Sequence, residues 1–203
     1  MTVEAPLSTE FDKIEKRLRK RAAWIIRQQR NFRRYSFDIP PRLYVSGETH
    51  RYLGRQYRLK VTQNDGLPKL VRMDRQLFLY THEKTDTGRK KQLVDAWFRQ
   101  RAQHIFADRV TTWLPHFERY AISKPKVVVR QMKTRWGSCT TAGKIIFNLK
   151  LIQLPTECVD YVIVHEMCHL VEHNHSPEYY ALLSRVLPDW RERKQKLDGF
   201  DFG

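Results

Sequence analysis

The residues most capable of chemistry lie in one short segment, His165-Glu166-Met167-Cys168-His169. Two histidines four positions apart lie on one face of an α-helix, so both imidazoles can reach a single cation. Neutral imidazole is a good zinc ligand, and three protein ligands beside an open fourth position are typical of a hydrolytic site. Glu166 lies where it can take a proton from zinc-activated water and pass it to a leaving group. The segment therefore predicts a catalytic zinc site with Glu166 as the general base.

A further histidine behind this motif completes the predicted ligand set. An apolar run before the motif predicts a buried helix over about 157–172. Asn174 can end that helix in the left-handed conformation, and Ser176-Pro177 is typical of the start of another helix. The chain must therefore turn and bring His175 back toward the metal. We expect His175 rather than His173 as the third ligand, because His175 lies beyond the predicted helix end.

The first part of the chain is predicted to hold two long helices with a small sheet between them. Apolar residues at three- and four-residue intervals predict a basic helix over 10–34 and a second helix over about 89–114. Alternating residues between these helices predict strands at 43–45, 57–61 and 77–80, separated by glycine-containing turns. We expect these strands to pair as an antiparallel sheet.

The last part of the chain carries the predicted active site. Strands are predicted at 127–129 and 144–148, on either side of a glycine-containing loop at 135–139. We therefore expect an α+β fold in which a zincin-like active-site helix pair packs on a small antiparallel sheet, with the N-terminal basic helix and β-rich region attached. The predicted domains are 1–120, with the basic helix, sheet and long helix, and 121–203, with the catalytic site.

The charge of the chain is large and uneven. The 203 residues carry a formal net charge of +16, of which +13 falls in residues 1–120. This asymmetry indicates that the first part meets a polyanion, such as nucleic acid or a nucleotide, or presents a solvated basic surface. The N-terminal region is therefore a candidate for binding such a partner.

Composition excludes several classes of protein. Hydrophobic residues make up 41% of the chain, which is enough for a core and argues against a disordered protein. No run approaches the roughly 18–20 apolar residues that span a bilayer. Three cysteines, without framework spacing, fit free thiols in a reducing compartment, and the N-terminus lacks a secretory signal pattern. We expect a cytoplasmic protein that is not embedded in a membrane.

Motifs in the last third of the chain resemble the YgjP-like metallopeptidase family, whose members are minimal gluzincin-type proteins related to the SprT and WLM groups. The matching segments are Arg135-Trp136-Gly137-Ser138-Cys139, Asn148, Pro155, Tyr161–Leu170, Asn174-His175-Ser176 and Pro188-Asp189-Trp190. The resemblance implies a zinc site formed by His165, His169 and His175, with Glu166 catalytic. It also implies peptide-bond hydrolysis, with the strand at 144–148 as a candidate edge for an extended peptide.

Three other side chains are candidates for contact with substrate or transition state. Arg135 is a candidate to stabilise a developing oxyanion, or to form a salt bridge. Trp136 is a candidate to contact substrate or to pack over the active-site helix, and Tyr179 to contact substrate or to lie in the core. We expect a zinc metallopeptidase that acts on a peptide or protein. The alternatives are a metal-dependent hydrolase of nucleotide phosphoanhydrides and a nucleic-acid-associated zinc protein.

Overall fold

The structure, a computed structural model of the chain, describes residues 9–35, 42–82, 86–140 and 142–200. The chain divides into one unit of residues 1–41 and another of residues 42–202. The division predicted after residue 120 stays a prediction.

The first unit contains the predicted basic helix. Helix α1 spans Phe11–Tyr35, which confirms the prediction at 10–34. Glu15 pairs with Arg19 one turn later, with 2.7 Å between carboxylate and guanidinium, and both side chains are largely exposed. Such i,i+4 pairs contribute only a few tenths of a kcal/mol, about 0.3–0.5. The helix therefore presents charge to solvent along its described side chains.

The second unit begins with a four-stranded sheet. Its strands are β1 (Thr49–Tyr52), β2 (Arg55–Gln63), β3 (Lys69–Met73) and β4 (Gln76–Thr81). Their order is β1-β2-β4-β3, and β2 and β4 run parallel. The prediction of a purely antiparallel sheet is therefore wrong in this detail. β3 and β4 form a hairpin, and β4 rather than β3 pairs with β2, so two strands with the same direction become neighbours.

The predicted strand at 43–45 is also wrong. Tyr44 has a φ of 54°, in the left-handed region that interrupts an extended strand. The backbone N–H groups of Leu43 and Tyr44 both donate to one carboxylate oxygen of Glu48, at 2.7 and 3.0 Å. A side chain, rather than a neighbouring strand, satisfies these two groups.

A second, smaller sheet leads to the candidate site. Its strands are β5 (Lys126–Arg130), β6 (Gly137–Cys139) and β7 (Lys144–Asn148), in the order β5-β7-β6. β6 and β7 form an antiparallel hairpin, whereas β5 and β7 run parallel. The prediction of an antiparallel sheet is therefore wrong in part here too, because β7 lies between β5 and β6 and runs parallel to β5. β7 is therefore central, and the expectation that 144–148 is an edge strand is wrong.

One long helix connects the two sheets. Helix α2 (Thr87–Trp113) begins at Asp86, whose side chain accepts a hydrogen bond from the backbone N–H of Arg89 at 2.8 Å. Its buried face recurs at four-residue intervals and consists of Val94, Phe98, Ala102, Phe106 and Val110. This face contacts β3, β4 and β5. Within this unit, α2 therefore shares its apolar face between both sheets.

Three further helices follow the second sheet. They are α3 (Thr156–Cys168), α4 (Pro177–Val186) and α5 (Trp190–Asp198). Helix α3 is buried on most sides and contacts β6, α2, α4 and α5. A partly buried ion pair joins α3 to α2: Asp160 of α3 accepts two 2.6 Å hydrogen bonds from the Arg109 guanidinium of α2. The α+β class and the packing of α3 with α4 agree with the expectation from sequence, although the sheets are mixed. No helix within the described ranges has the length and apolar character needed to cross a membrane.

Candidate metal centre and active site

Three histidine rings converge where α3 ends. One ligand nitrogen from each of His165, His169 and His175 lies within 4.8 Å of the other two. The Nε2 atoms of His165 and His175 are 3.3 Å apart. Two nitrogens bound tetrahedrally at zinc–nitrogen distances of about 2.0–2.1 Å lie about 3.3–3.4 Å apart. His165 and His175 therefore already have the spacing of two zinc ligands, and His169 is the third ring of the cluster.

Hydrogen bonds on the far side of two of these rings fix their orientation. The carbonyl oxygen of Glu172 can only accept, so His169 carries its proton on Nδ1 and donates it there at 3.0 Å. The hydroxyl of Tyr179 donates to the His165 backbone carbonyl at 3.2 Å and accepts from His165 Nδ1 at 2.7 Å. Both rings thus keep Nε2 unprotonated and directed at the cluster, as metal ligation requires.

Burial keeps these imidazoles neutral. Desolvation, together with the adjacent His169 and His175 rings, lowers the pKa of His165 to about 3. Burial also lowers the pKa of His169. A histidine must be unprotonated to bind a metal, so at neutral pH these two rings are ready to ligate.

The turn after α3 delivers His175 to the cluster. The helix ends at Cys168, earlier than the predicted 172, and the N–H of Leu170 bonds three residues back to Met167. Asn174 does not have a positive φ, so the prediction that it ends the helix in the left-handed conformation is wrong. Ser176 then caps α4 by accepting from the N–H of Tyr179 at 3.4 Å. A longer connection, rather than one left-handed residue, reverses the chain.

Glu166 lies beside the histidine cluster with only 6% of its surface exposed. Desolvation raises its pKa to about 7, while a hydrogen bond from the Cys139 backbone and the positive charge of Arg135 act in the opposite direction. A Cβ atom at Gly137 would lie 2.6 Å from Glu166 Oε1. The backbone of β6 therefore approaches the Glu166 carboxylate so closely that only glycine fits there without movement.

β6 also presents an open edge to the site. The N–H of Asn148 donates to Trp136 O and the N–H of Thr140 donates to Lys144 O. Pairs alternate in an antiparallel ladder, so Gly137 and Cys139 direct their N–H and C=O groups away from β7. The edge strand beside the site is thus β6, rather than the strand at 144–148 expected from sequence.

These groups line one cleft of about 400 Å³. Its lining residues are Arg135, Gly137, Ser138, Cys139, Thr140, His165, Glu166, His169, His173 and His175. His173 therefore faces the cleft but does not belong to the three-histidine cluster. Of the other predicted contacts, Arg135 lines the cleft, whereas Trp136 packs against the core and Tyr179 is fully buried behind His165.

Asn148 positions the loop that carries Arg135. Its side-chain amide donates to the carbonyl oxygens of Met132 and Arg135, at 2.8 and 2.9 Å, and Asn148 is fully buried. The sequence patterns do not indicate this role, since Asn148 follows a strand and is equally suited to a strand end. The loop predicted at 135–139 is also wrong in part, because Gly137–Cys139 form strand β6. Glycine inside a strand permits close backbone approach, as Gly137 does beside Glu166.

Comparison with known proteins identifies the family of the chain. The model of the YgjP-like metallopeptidase domain matches residues 1–200, so the chain belongs to the YgjP-like family and is a metallopeptidase by class. A solved metallopeptidase zymogen, abylysin of Pyrococcus abyssi, has 20% identity and a TM-score of 0.42 over 45% of this chain and 90% of its own. Another, jannalysin of Methanocaldococcus jannaschii, has 19% identity and a TM-score of 0.40 over 46% and 93%. No curated protein matches the sequence.

Proposed function

We propose that this chain is a zinc-dependent peptidase whose metal is held by His165, His169 and His175, with Glu166 as the general base. The observation that carries this proposal is the 3.3 Å separation of two Nε2 atoms beside a buried carboxylate in the same cleft. Zinc, when bound there, supplies Lewis acidity that polarises the scissile carbonyl and makes water acidic. The donor set is all imidazole, which suits zinc among the divalent metals.

The protein's own groups account for the proton transfers. Glu166 takes the proton of the attacking water and hands it to the leaving amine, so one carboxylate serves both steps. The Cys139 N–H holds that carboxylate in place, and Gly137 leaves room for it. Tyr179 acts on His165 through its hydroxyl and is proposed as a positioning residue rather than a substrate contact.

The open edge of β6 is the proposed binding position for the substrate. An extended peptide that pairs with this edge as an added strand would form main-chain hydrogen bonds with Gly137 and the carbonyl of Cys139. Its scissile bond would then lie beside Glu166, because the same strand contacts that side chain. This mode recognises main chain first and side chains second, which suits a peptide or protein substrate.

Arg135 is proposed to stabilise the oxyanion that forms during hydrolysis. Its side chain lines the cleft, and its positive charge acts on Glu166, where it partly opposes the rise in pKa that burial causes. A cation at this place is suited to developing negative charge. Arg135→Gln should reduce kcat by about 10²-fold or more with little change in KM, and Arg135→Lys should retain more activity than Arg135→Gln.

Metal content and turnover test the proposal together. Protein purified without added metal should contain about one zinc per chain, and His165→Ala and His175→Ala should both lose it. Glu166→Gln should reduce hydrolysis of a quenched peptide library to a small residual rate while retaining zinc. Glu192→Gln, which makes the same change on an exposed part of α5, should behave as wild type. Zinc retained in His175→Ala, or undiminished peptide hydrolysis by Glu166→Gln, would refute the assignment.

Hydrolysis of nucleotide phosphoanhydrides stays a prediction. The same preparations should be incubated with nucleoside triphosphates and assayed for released phosphate. Release by the wild type and not by Glu166→Gln, without any peptide cleavage, would favour this alternative.

A further inference from the structure

The four-stranded sheet has one face that the peptidase proposal does not use. Alternate residues on each strand point to opposite faces. One face carries buried apolar side chains, among them Leu59, Leu77 and Leu79. The other carries the set that we call the basic-aromatic face: Arg51, Arg58, Lys60, Lys69, Phe78 and Tyr80. The four cations are exposed, and the two rings are half-buried.

Two aromatic rings form the middle of this face. Phe78 and Tyr80 lie two residues apart on β4, with ring centroids 6.3 Å apart and planes inclined by only 18°. Both lie on a strand that has neighbours on each side, β2 and β3. The rings are therefore held side by side by the sheet and present two near-parallel surfaces.

Cations flank both rings. The register pairs Lys60 with Phe78 across β2 and β4, and Lys69 with Tyr80 across β3 and β4. The Nζ of Lys60 lies 5.5 Å from the Phe78 ring centroid, and the Nζ of Lys69 lies 5.6 Å from that of Tyr80. Each ring thus has its own ammonium group over one of its faces, in a cation–π contact.

No acidic residue neutralises this charge from within the sheet. None of the four strands contains Asp or Glu. Among the described residues, the salt bridges leave Arg51, Arg58, Lys60 and Lys69 without a carboxylate partner. The face therefore combines positive charge that no carboxylate neutralises with two partly exposed aromatic rings.

We propose that the basic-aromatic face binds single-stranded nucleic acid. Sequence-tolerant recognition of single strands uses aromatic side chains on which bases stack and cations that follow the phosphates. A four-stranded sheet with adjacent aromatics is a known geometry for this purpose. Two successive bases stack on Phe78 and Tyr80, while Lys60, Lys69 and the arginines contact phosphates. The net charge predicts a polyanionic partner in general; this proposal specifies that the partner is single-stranded nucleic acid and that it binds at the basic-aromatic face.

Fluorescence anisotropy of the full chain with a labelled 15-nucleotide oligothymidylate or oligouridylate tests this proposal. Replacing both rings by leucine (Phe78→Leu with Tyr80→Leu) keeps apolar bulk and should weaken binding by about 30-fold or more, at the lower end of stacking contributions. The exchanged pair, Phe78→Tyr with Tyr80→Phe, should bind as wild type. A duplex of the same length should bind more weakly, because its bases are not available for stacking.

Salt dependence tests the charges separately. Lys60→Gln with Lys69→Gln should reduce the slope of log affinity against log salt by about 1.4, since each single-strand phosphate contact contributes about 0.7. The matched control is Lys124→Gln with Lys126→Gln, two exposed lysines outside the four-stranded sheet, which should leave the slope unchanged.

Three outcomes would overturn the proposal. They are the absence of binding at low salt, wild-type affinity in the leucine pair, and equal losses in both lysine pairs. Either of the last two outcomes would show that the oligonucleotide is attracted by the net charge of the protein and not by the basic-aromatic face. Glu166→Gln should leave oligonucleotide binding unchanged, so failure of the peptidase proposal and failure of this one are distinguishable.

Discussion

Substitution of Gly137 by alanine tests how closely β6 controls the proposed base. The added Cβ would lie 2.6 Å from Oε1, 2.7 Å from Cγ and 2.9 Å from Cδ of Glu166. Ordinary van der Waals contact begins at 3.4 Å, so the carboxylate must retreat by roughly 0.8 Å. Misplacement of a catalytic group by about 1 Å can reduce the rate by about 10²-fold. We expect kcat/KM to fall by about that factor.

The fold and the metal should survive this change. Overpacking of this kind costs about 1–3 kcal/mol of stability. The three atoms nearest to the new methyl group all belong to Glu166, and none belongs to a histidine ring. The assay is peptide hydrolysis with zinc content and a thermal melt measured on the same sample. Gly199→Ala is the matched control, because its Cβ would meet only the carbonyl oxygen of Lys196, at 3.3 Å.

A double-mutant cycle decides whether the effect passes through Glu166. If Gly137 acts by displacing that carboxylate, Gly137→Ala should cause no further loss in a Glu166→Gln background. Activity of Gly137→Ala within twofold of wild type would refute the reasoning. So would a full 10²-fold loss on top of Glu166→Gln, or a loss of zinc that explains the inactivity.

Three further predictions concern the elements around the site. Tyr179→Phe removes the hydroxyl that is hydrogen-bonded to His165, so zinc affinity, measured by chelator competition, should fall about 10–100-fold with the fold intact. Unchanged zinc affinity would contradict the positioning role of Tyr179. Asp160→Ala leaves Arg109 without its two hydrogen bonds, so the free energy of unfolding measured in urea should fall by about 3 kcal/mol. A fall of less than about 1 kcal/mol would show that the ion pair does not stabilise the fold. Burial and the Arg42 charge lower the pKa of His50 to about 4, whereas the unfolded chain binds that proton near pH 6.5. The His50 contribution to the free energy of unfolding should therefore be full above pH 6.5 and decline by about 3 kcal/mol as the pH falls to 4. His50→Gln should remove this part of the pH dependence, and identical profiles for both proteins would refute it.

The sequence was sufficient wherever the relevant contacts are local. The apolar intervals located α1 and α2 to within a few residues, and the four-residue spacing of His165 and His169 follows from helix geometry alone. His175 lies beside His165 and His169, as the sequence predicts, although the helix ends at Cys168 and Asn174 is not left-handed. Helix existence depends on residues three or four apart, which the sequence displays directly.

The strand partners could not be read in the same way. Alternation indicates that β4 and β7 are strands but not which neighbours they take, because pairing joins residues far apart in the chain. In both sheets the last strand lies between two earlier ones: β4 lies between β2 and β3, and β7 lies between β5 and β6. This pairing makes β7 the central strand of its sheet and β6 an edge strand. The same choice brings Gly137 against Glu166 and lets the Asn148 amide hold the Arg135 loop. The sequence alone thus determined which histidines and which carboxylate come together, because their spacing along one helix and the turn after it is local, whereas only the tertiary structure decided which edge strand forms the wall of the cleft.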